Sequence, residues 1–157
     1  MIDRMAISKR FFACYPGVSR SKMAELFDVK APGVTIWASK GRVPWINLKY
    51  LSDTQAVSWD WIIEGIEPKS SIKEPKAYKT TKLKFNRAKI NQRFFSLYGD
   101  TKQTRIAAMI GVTPATVHDW SVNRRQIPWQ RLADAVDAFG LRWDWLIDGL
   151  EPQYRIS

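Results

Sequence analysis

An all-α chain made of two tandem helical domains is the fold class this sequence predicts, and three observations carry that expectation. The chain repeats itself at long range. Apolar residues recur at i, i+4, i+7 and i+8 in both copies, and no segment shows the strict alternation of a half-buried strand.

Arg10-Phe11-Phe12 and Tyr15 return as Arg93-Phe94-Phe95 and Tyr98, an offset of 83. The same offset relates Met23-Ala24 to Ile106-Ala107, Val34 to Val117 and Trp37 to Trp120. One inserted residue then shifts the offset to 84, and Val43-Pro44-Trp45 pairs with Ile127-Pro128-Trp129. Trp59-Asp60-Trp61-Ile62-Ile63-Glu64-Gly65 pairs with Trp143-Asp144-Trp145-Leu146-Ile147-Asp148-Gly149, and both copies close on Glu-Pro. Four Trp pairs matched in order exclude coincidence. The boundaries that follow are a first domain over 1–68, a linker over 69–84 and a second domain over 85–157.

About five short helices are expected in each copy. A first helix carries Ile90, Phe94, Leu97 and Tyr98 on one stripe and ends at Gly99; Ile7, Phe11, Cys14 and Tyr15 repeat it before Pro16-Gly17. Asp100 or Thr101 is the expected cap of a second helix that runs to Ile110 and stops at Gly111. Thr113-Pro114 opens a third, since a hydroxyl cap and a proline at the first helical position suit the exposed N–H groups. Pro128-Trp129 opens a fourth that ends near Gly140, and Trp143 to Gly149 makes a short fifth.

The formal net charge is +10, which favours a polyanionic partner. Its distribution is uneven. Residues 1–68 carry nine Lys and Arg against seven Asp and Glu, residues 93–157 eight against seven, and residues 69–92 eight against one. The basic stretch is either a solvated spacer extended by self-repulsion or an arm that meets phosphates through Lys79, Lys82 and Lys84. With 45% hydrophobic and 13% aromatic residues, the chain is not a disordered one. No apolar run approaches the roughly 18–20 residues of a membrane span, and Met1 to Arg10 lacks the apolar core of a signal peptide. The single cysteine, Cys14, forms no internal disulfide, so a cytoplasmic location is expected. His118 is the only histidine, which argues against a zinc site. Neither a Gly-rich phosphate loop nor a nucleophile–base pair is visible, so no enzyme activity, metal or cofactor is expected. The Trp residues, at matched positions and helical spacing, are expected in the cores.

The segment from Gln103 to Trp120 carries the functional signal. Ala107 must be small where two helices cross, and Gly111 permits the positive φ of a tight turn. Val117 and Trp120, three apart, pack the third helix back on the second and leave its N-terminal outer face free for a major groove. Together with Arg125-Gln126-Ile127-Pro128-Trp129, Leu132 and Asp144-Trp145-Leu146…Gly149, this pattern resembles the helix-turn-helix domain of phage CI-type repressors. The resemblance covers both copies, about five-sixths of the chain. It implies all-α operator-binding domains that act as a two-fold pair. No Ser/Lys catalytic pair in a β-rich setting is visible, so the self-cleavage that induces many such repressors is not expected. The first copy also departs from the pattern: Asp28 replaces the turn glycine, Arg20 stands for Gln103, and Lys30-Ala31-Pro32-Gly33 stands for Thr113-Pro114-Ala115-Thr116.

The recognition helices expected from this pattern are 31–39 and 114–121. In the second copy Thr113, Ala115, Thr116, His118 and Asp119 are the groove candidates: methyls for thymine, His118 as donor to guanine, and Asp119 as acceptor from cytosine or as partner of Arg124 or Arg125. Gln103 and Thr104 suit phosphate contacts at a helix N-terminus, and Asn123, Arg124 and Arg125 suit a phosphate clamp. The first copy offers Arg20, Ser21, Lys30, Thr35, Lys40 and Arg42. The expected partner is a double-stranded DNA operator, met by an intramolecular pseudo-dimer or a homodimer. Two alternatives stand beside this: the second copy alone reads DNA while the first dimerises, or the chain is an adaptor or antitoxin-like protein.

Overall fold

The protein is described by a computed structural model over residues 1–78 and 83–156. Among the described residues it is all-helical, with ten helices and no strand beyond two isolated antiparallel bridges. None of these helices is long and apolar enough to cross a membrane. The chain divides into two compact units, Ile2–Phe85 and Asn86–Ser157.

The first unit holds α1 (Arg4–Ala13), α2 (Arg20–Leu26), α3 (Ala31–Lys40), α4 (Trp45–Gln55) and α5 (Trp59–Glu64). The second holds α6 (Arg87–Ser96), α7 (Gln103–Ile110), α8 (Pro114–Ser121), α9 (Trp129–Phe139) and α10 (Trp143–Asp148). The expected helix starts at Pro114, Trp129 and Trp143 are met. Thr113 caps α8 as its hydroxyl accepts from the Thr116 amide at 3.2 Å. The expected cap of α7 is not met. Lys102 is the N-cap, with no side-chain hydrogen bond, and Thr101 lies one residue earlier in the turn, its amide donating to Tyr98 O at 3.1 Å.

Both cores are built on the repeated aromatic residues. Phe11 and Phe94 are buried on the first helix of each unit, and their rings lie 6.3 Å from Trp37 and Trp120 respectively. Trp59, Trp143 and Trp145 are buried as well, whereas Trp61 is half-buried beneath Lys69 Nζ, 4.9 Å from the ring centroid. The repeated arginines cap the last helix of each unit. Arg10 Nη1 donates to Ile62 O and Ile63 O at 3.1 and 3.0 Å, and Arg93 Nη1 to Leu146 O and Ile147 O at 3.1 and 2.9 Å.

The structural repeat runs past the sequence match. Beyond the Glu67-Pro68 and Glu151-Pro152 cis peptides the chain turns back on its own unit. Val57 bridges Ser70 as Leu141 bridges Tyr154, and Ser58 N donates to Lys69 O as Arg142 N donates to Gln153 O. Residues 69–71 therefore belong to the first unit rather than to a spacer. Backbone hydrogen bonds of this kind leave no side-chain signature.

The following residues stay on the first unit too. Lys76 N donates to Asp53 O at 2.8 Å, Lys73 Nζ reaches Ser52 Oγ at 2.6 Å and Asp53 Oδ1 at 3.0 Å, and the Phe85 ring lies 5.9 Å from that of Trp59. Of the expected extended spacer, the described part is thus a strap pinned at Asp53. Burial disfavours the Asp53 carboxylate, but the Lys49 hydrogen bond and the Lys73 charge outweigh it and hold the group below the usual carboxylate range. A depressed folded value makes the stabilisation complete above the ordinary carboxylate pKa of about 4 and lost as pH falls below it. The protection factor of the Lys76 amide should therefore fall in Asp53→Asn at neutral pH, and in the wild type only on acidification below about pH 4.

Candidate nucleic-acid interface

The second unit places its candidate residues through one tight turn. α7 ends at Gly111, φ 71°, and Val112 N donates back to Ala107 O at 3.0 Å. Ala107 and Val117 are buried with Ile106, and Tyr98, Ile110 and Val112 pack against them. This locks α8 across α7 at the small residue, as its spacing predicts. The first unit makes the same turn without glycine: Asp28 takes φ 51°, and Val29 N donates to Ala24 O at 2.9 Å. Asp accepts the left-handed region better than most residues, so the substitution leaves the geometry intact.

With Val117 and Trp120 turned into the core, α8 exposes Thr113, Ala115 and His118, and Thr116 and Asp119 are half-buried. The Thr113 and Thr116 hydroxyls share a 2.8 Å hydrogen bond. Of the two roles considered for Asp119, the ion pairs are present: Arg124 Nη1 at 3.6 Å and Arg125 Nε at 3.5 Å. The arginine side chains remain 68% and 70% exposed, so these pairs are worth about 0–1 kcal/mol and leave both cations able to meet another anion.

Gln103 and Thr104, at the start of α7, are exposed, and Gln103 Nε2 donates to Ser121 Oγ at 3.0 Å. Lys102 makes no side-chain cap hydrogen bond at the start of α7. Asn123 takes φ 60°, and its Oδ1 accepts from Asn91 Nδ2 at 3.2 Å, which ties this exposed residue to the first helix of the unit.

In the first unit Arg20, Ser21, Lys30, Thr35, Lys40 and Arg42 are all exposed. Arg20 Nη1 donates to Thr35 Oγ1 at 3.3 Å, so the first residue of α2 bridges to α3 as Gln103 bridges to α8. The chemistry of the two faces differs. α3 exposes Ile36, Val29 is exposed just before α3, and Gly33 offers no side chain. Lys84 is exposed; Lys79 and Lys82 lie outside the described residues. No protein-family model, curated protein or solved structure matches the chain at a significant level.

Three positioning residues escaped the sequence reading. Ser8 Oγ donates to Trp37 O at 2.7 Å, and at the repeat offset Asn91 Nδ2 donates to Trp120 O at 2.9 Å. Each ties the first helix to the end of the recognition-helix candidate. Asn91 also reaches Arg125 O at 3.3 Å, and Arg87 Nη1 lies 3.4 Å from both Asn123 O and Arg124 O. The available signal was a polar residue beside the apolar stripe at matched positions, 8 and 91. Its identity differs between copies, which hid it from a comparison based on identical residues.

Proposed function

We propose that the chain is a sequence-specific double-stranded DNA-binding regulator of transcription built from two tandem helix-turn-helix domains. Its second unit is the principal reader. The observation that carries this reading is the α7–Gly111–α8 pair. Its small, hydrogen-bonding outer face (Thr113, Ala115, Thr116, His118) lies between the α7 N-terminus and the exposed Arg124 and Arg125. A helix N-terminus and two guanidiniums flanking such a face suit phosphates on either side of a major groove. Ala115 and the threonine methyls suit thymine, and His118 suits guanine. The first unit repeats the architecture with an apolar, glycine-bearing face. That difference favours a weaker contact by α3, or a dimerising role, over an equal share in base reading.

Footprinting on the DNA upstream of the chain's own gene tests the proposal. A protected segment is expected, with binding that weakens as salt rises by about 0.9 in log K per log salt for each phosphate met. Two protected half-sites about one helical turn apart indicate that both units read within one chain. Absence of any salt-sensitive affinity for duplex DNA overturns the reading in favour of a protein-binding adaptor.

A further inference from the structure

The second unit contains a cavity of about 260 Å³ between α6, α7 and α9, lined by Phe94, Tyr98, Met109, Ile110, Asp134 and Ala135 among others. The chain's own duplication says what is missing from it. At the repeat offsets Ile110 stands where the first unit has Phe27, Asp134 where it has Tyr50, Ala135 where it has Leu51, and Ala138 where it has Thr54. In the first unit the Phe27 ring sits 5.5 Å from Phe11, 5.9 Å from Tyr15, 5.8 Å from Trp37 and 5.3 Å from Tyr50. The second unit keeps Phe94 and Tyr98 at the matching places, with the Phe139 ring 5.6 Å from Tyr98, and lacks the rings of Phe27 and Tyr50.

We propose that this cavity is a binding site for a small neutral aromatic molecule of phenol to indole size. The volume exceeds the roughly 150 Å³ that suffices for a single benzene ring. Its walls are aromatic and aliphatic, and its rim is polar. Asp134 accepts from Gln130 Nε2 at 3.1 Å and lies 3.9 Å from Arg131, whose Nη1 donates to Ile110 O at 2.8 Å. Both signs of charge at the rim favour a neutral ligand, and the remaining acceptor capacity of the Asp134 carboxylate favours one carrying a hydroxyl or N–H. Ile110 is the last residue of α7 before Gly111, so an occupant touches the turn that sets α8. The proposal stands apart from the DNA reading, because occupancy is measured on the protein alone.

The experiment titrates the full chain with para-cresol, which carries the side chain of tyrosine, and with indole, followed by two-dimensional amide NMR. Saturable shifts confined to residues around Tyr98, Ile110 and Ala135 are expected for at least one probe, with a dissociation constant of roughly 0.1–1 mM. Ala135→Leu, which restores the first unit's residue, should weaken binding about tenfold or more. Ile110→Phe provides the same occlusion if that variant fails to fold. Three outcomes overturn the proposal: no saturation with either probe, shifts centred elsewhere, or wild-type affinity in a folded filled variant.

Discussion

Gly149→Ala is expected to destabilise the second unit by about 3 kcal/mol, the sum of two separate costs. The residue sits at φ 74°, where any side chain is strained by about 1–2 kcal/mol. An added Cβ would also lie 2.6 Å from Arg93 Nη2, so the guanidinium that donates to Leu146 O and Ile147 O must shift. Weakening these charged-donor hydrogen bonds costs about 1.5–3 kcal/mol in total, and the carbonyls they cap have little other support at the end of a six-residue helix. Arg93→Ala should cost a similar amount by losing the same bonds. The double variant should then fall well short of the sum, because each change removes the contact the other depends on. Urea unfolding of the four proteins checks this. Additive losses would mean that Gly149 is needed only for its backbone angle. Gly65 and Arg10 form the same arrangement, with a 2.8 Å approach, so Gly65→Ala should behave alike in the first unit.

What could be read before any coordinates follows from which forces leave marks on residue type. Burial and positive φ both do. Val117, Trp120 and Trp143 were legible as core, Gly111 as a turn, and Asp28 as a tolerated substitute there. The Thr113 cap was legible because hydroxyl-then-proline has one mechanical meaning, whereas Asp100 and Thr101 misled because turn and cap residues draw on the same types. Hydrogen bonds to backbone carbonyls were not legible. Ser8, Asn91, Arg10 and Arg93 all work by donating to main-chain oxygens, and Arg10 and Arg93 were noticed only as repeated letters. The strap was missed for a related reason. Its lysines read as excess charge, yet Lys73 is spent on the buried Asp53 and therefore does not belong to a free basic arm.

With Lys73 engaged on Asp53, the larger functional effect is expected at the second unit's loop, where Arg124 and Arg125 are exposed. Thr116→Ala combined with Arg125→Ala should lower specific DNA affinity about 100-fold and make the salt dependence shallower by about one phosphate. The fold should survive, because the Thr116 amide keeps its bond to Thr113 Oγ1 and Asp119 keeps Arg124 when Arg125 is removed. The matching pair in the first unit, Thr35→Ala with Lys40→Ala, removes a long 3.3 Å bond to Arg20 and one exposed cation. Its expected cost is only about fivefold, mostly through the salt-dependent part. Competition gel shifts at two salt concentrations separate the cases. Equal losses from the two pairs would make the chain a symmetrical tandem reader, against the apolar face of α3. A loss confined to the second pair would assign base reading to α8 and leave Val29 and Ile36 for contacts other than DNA.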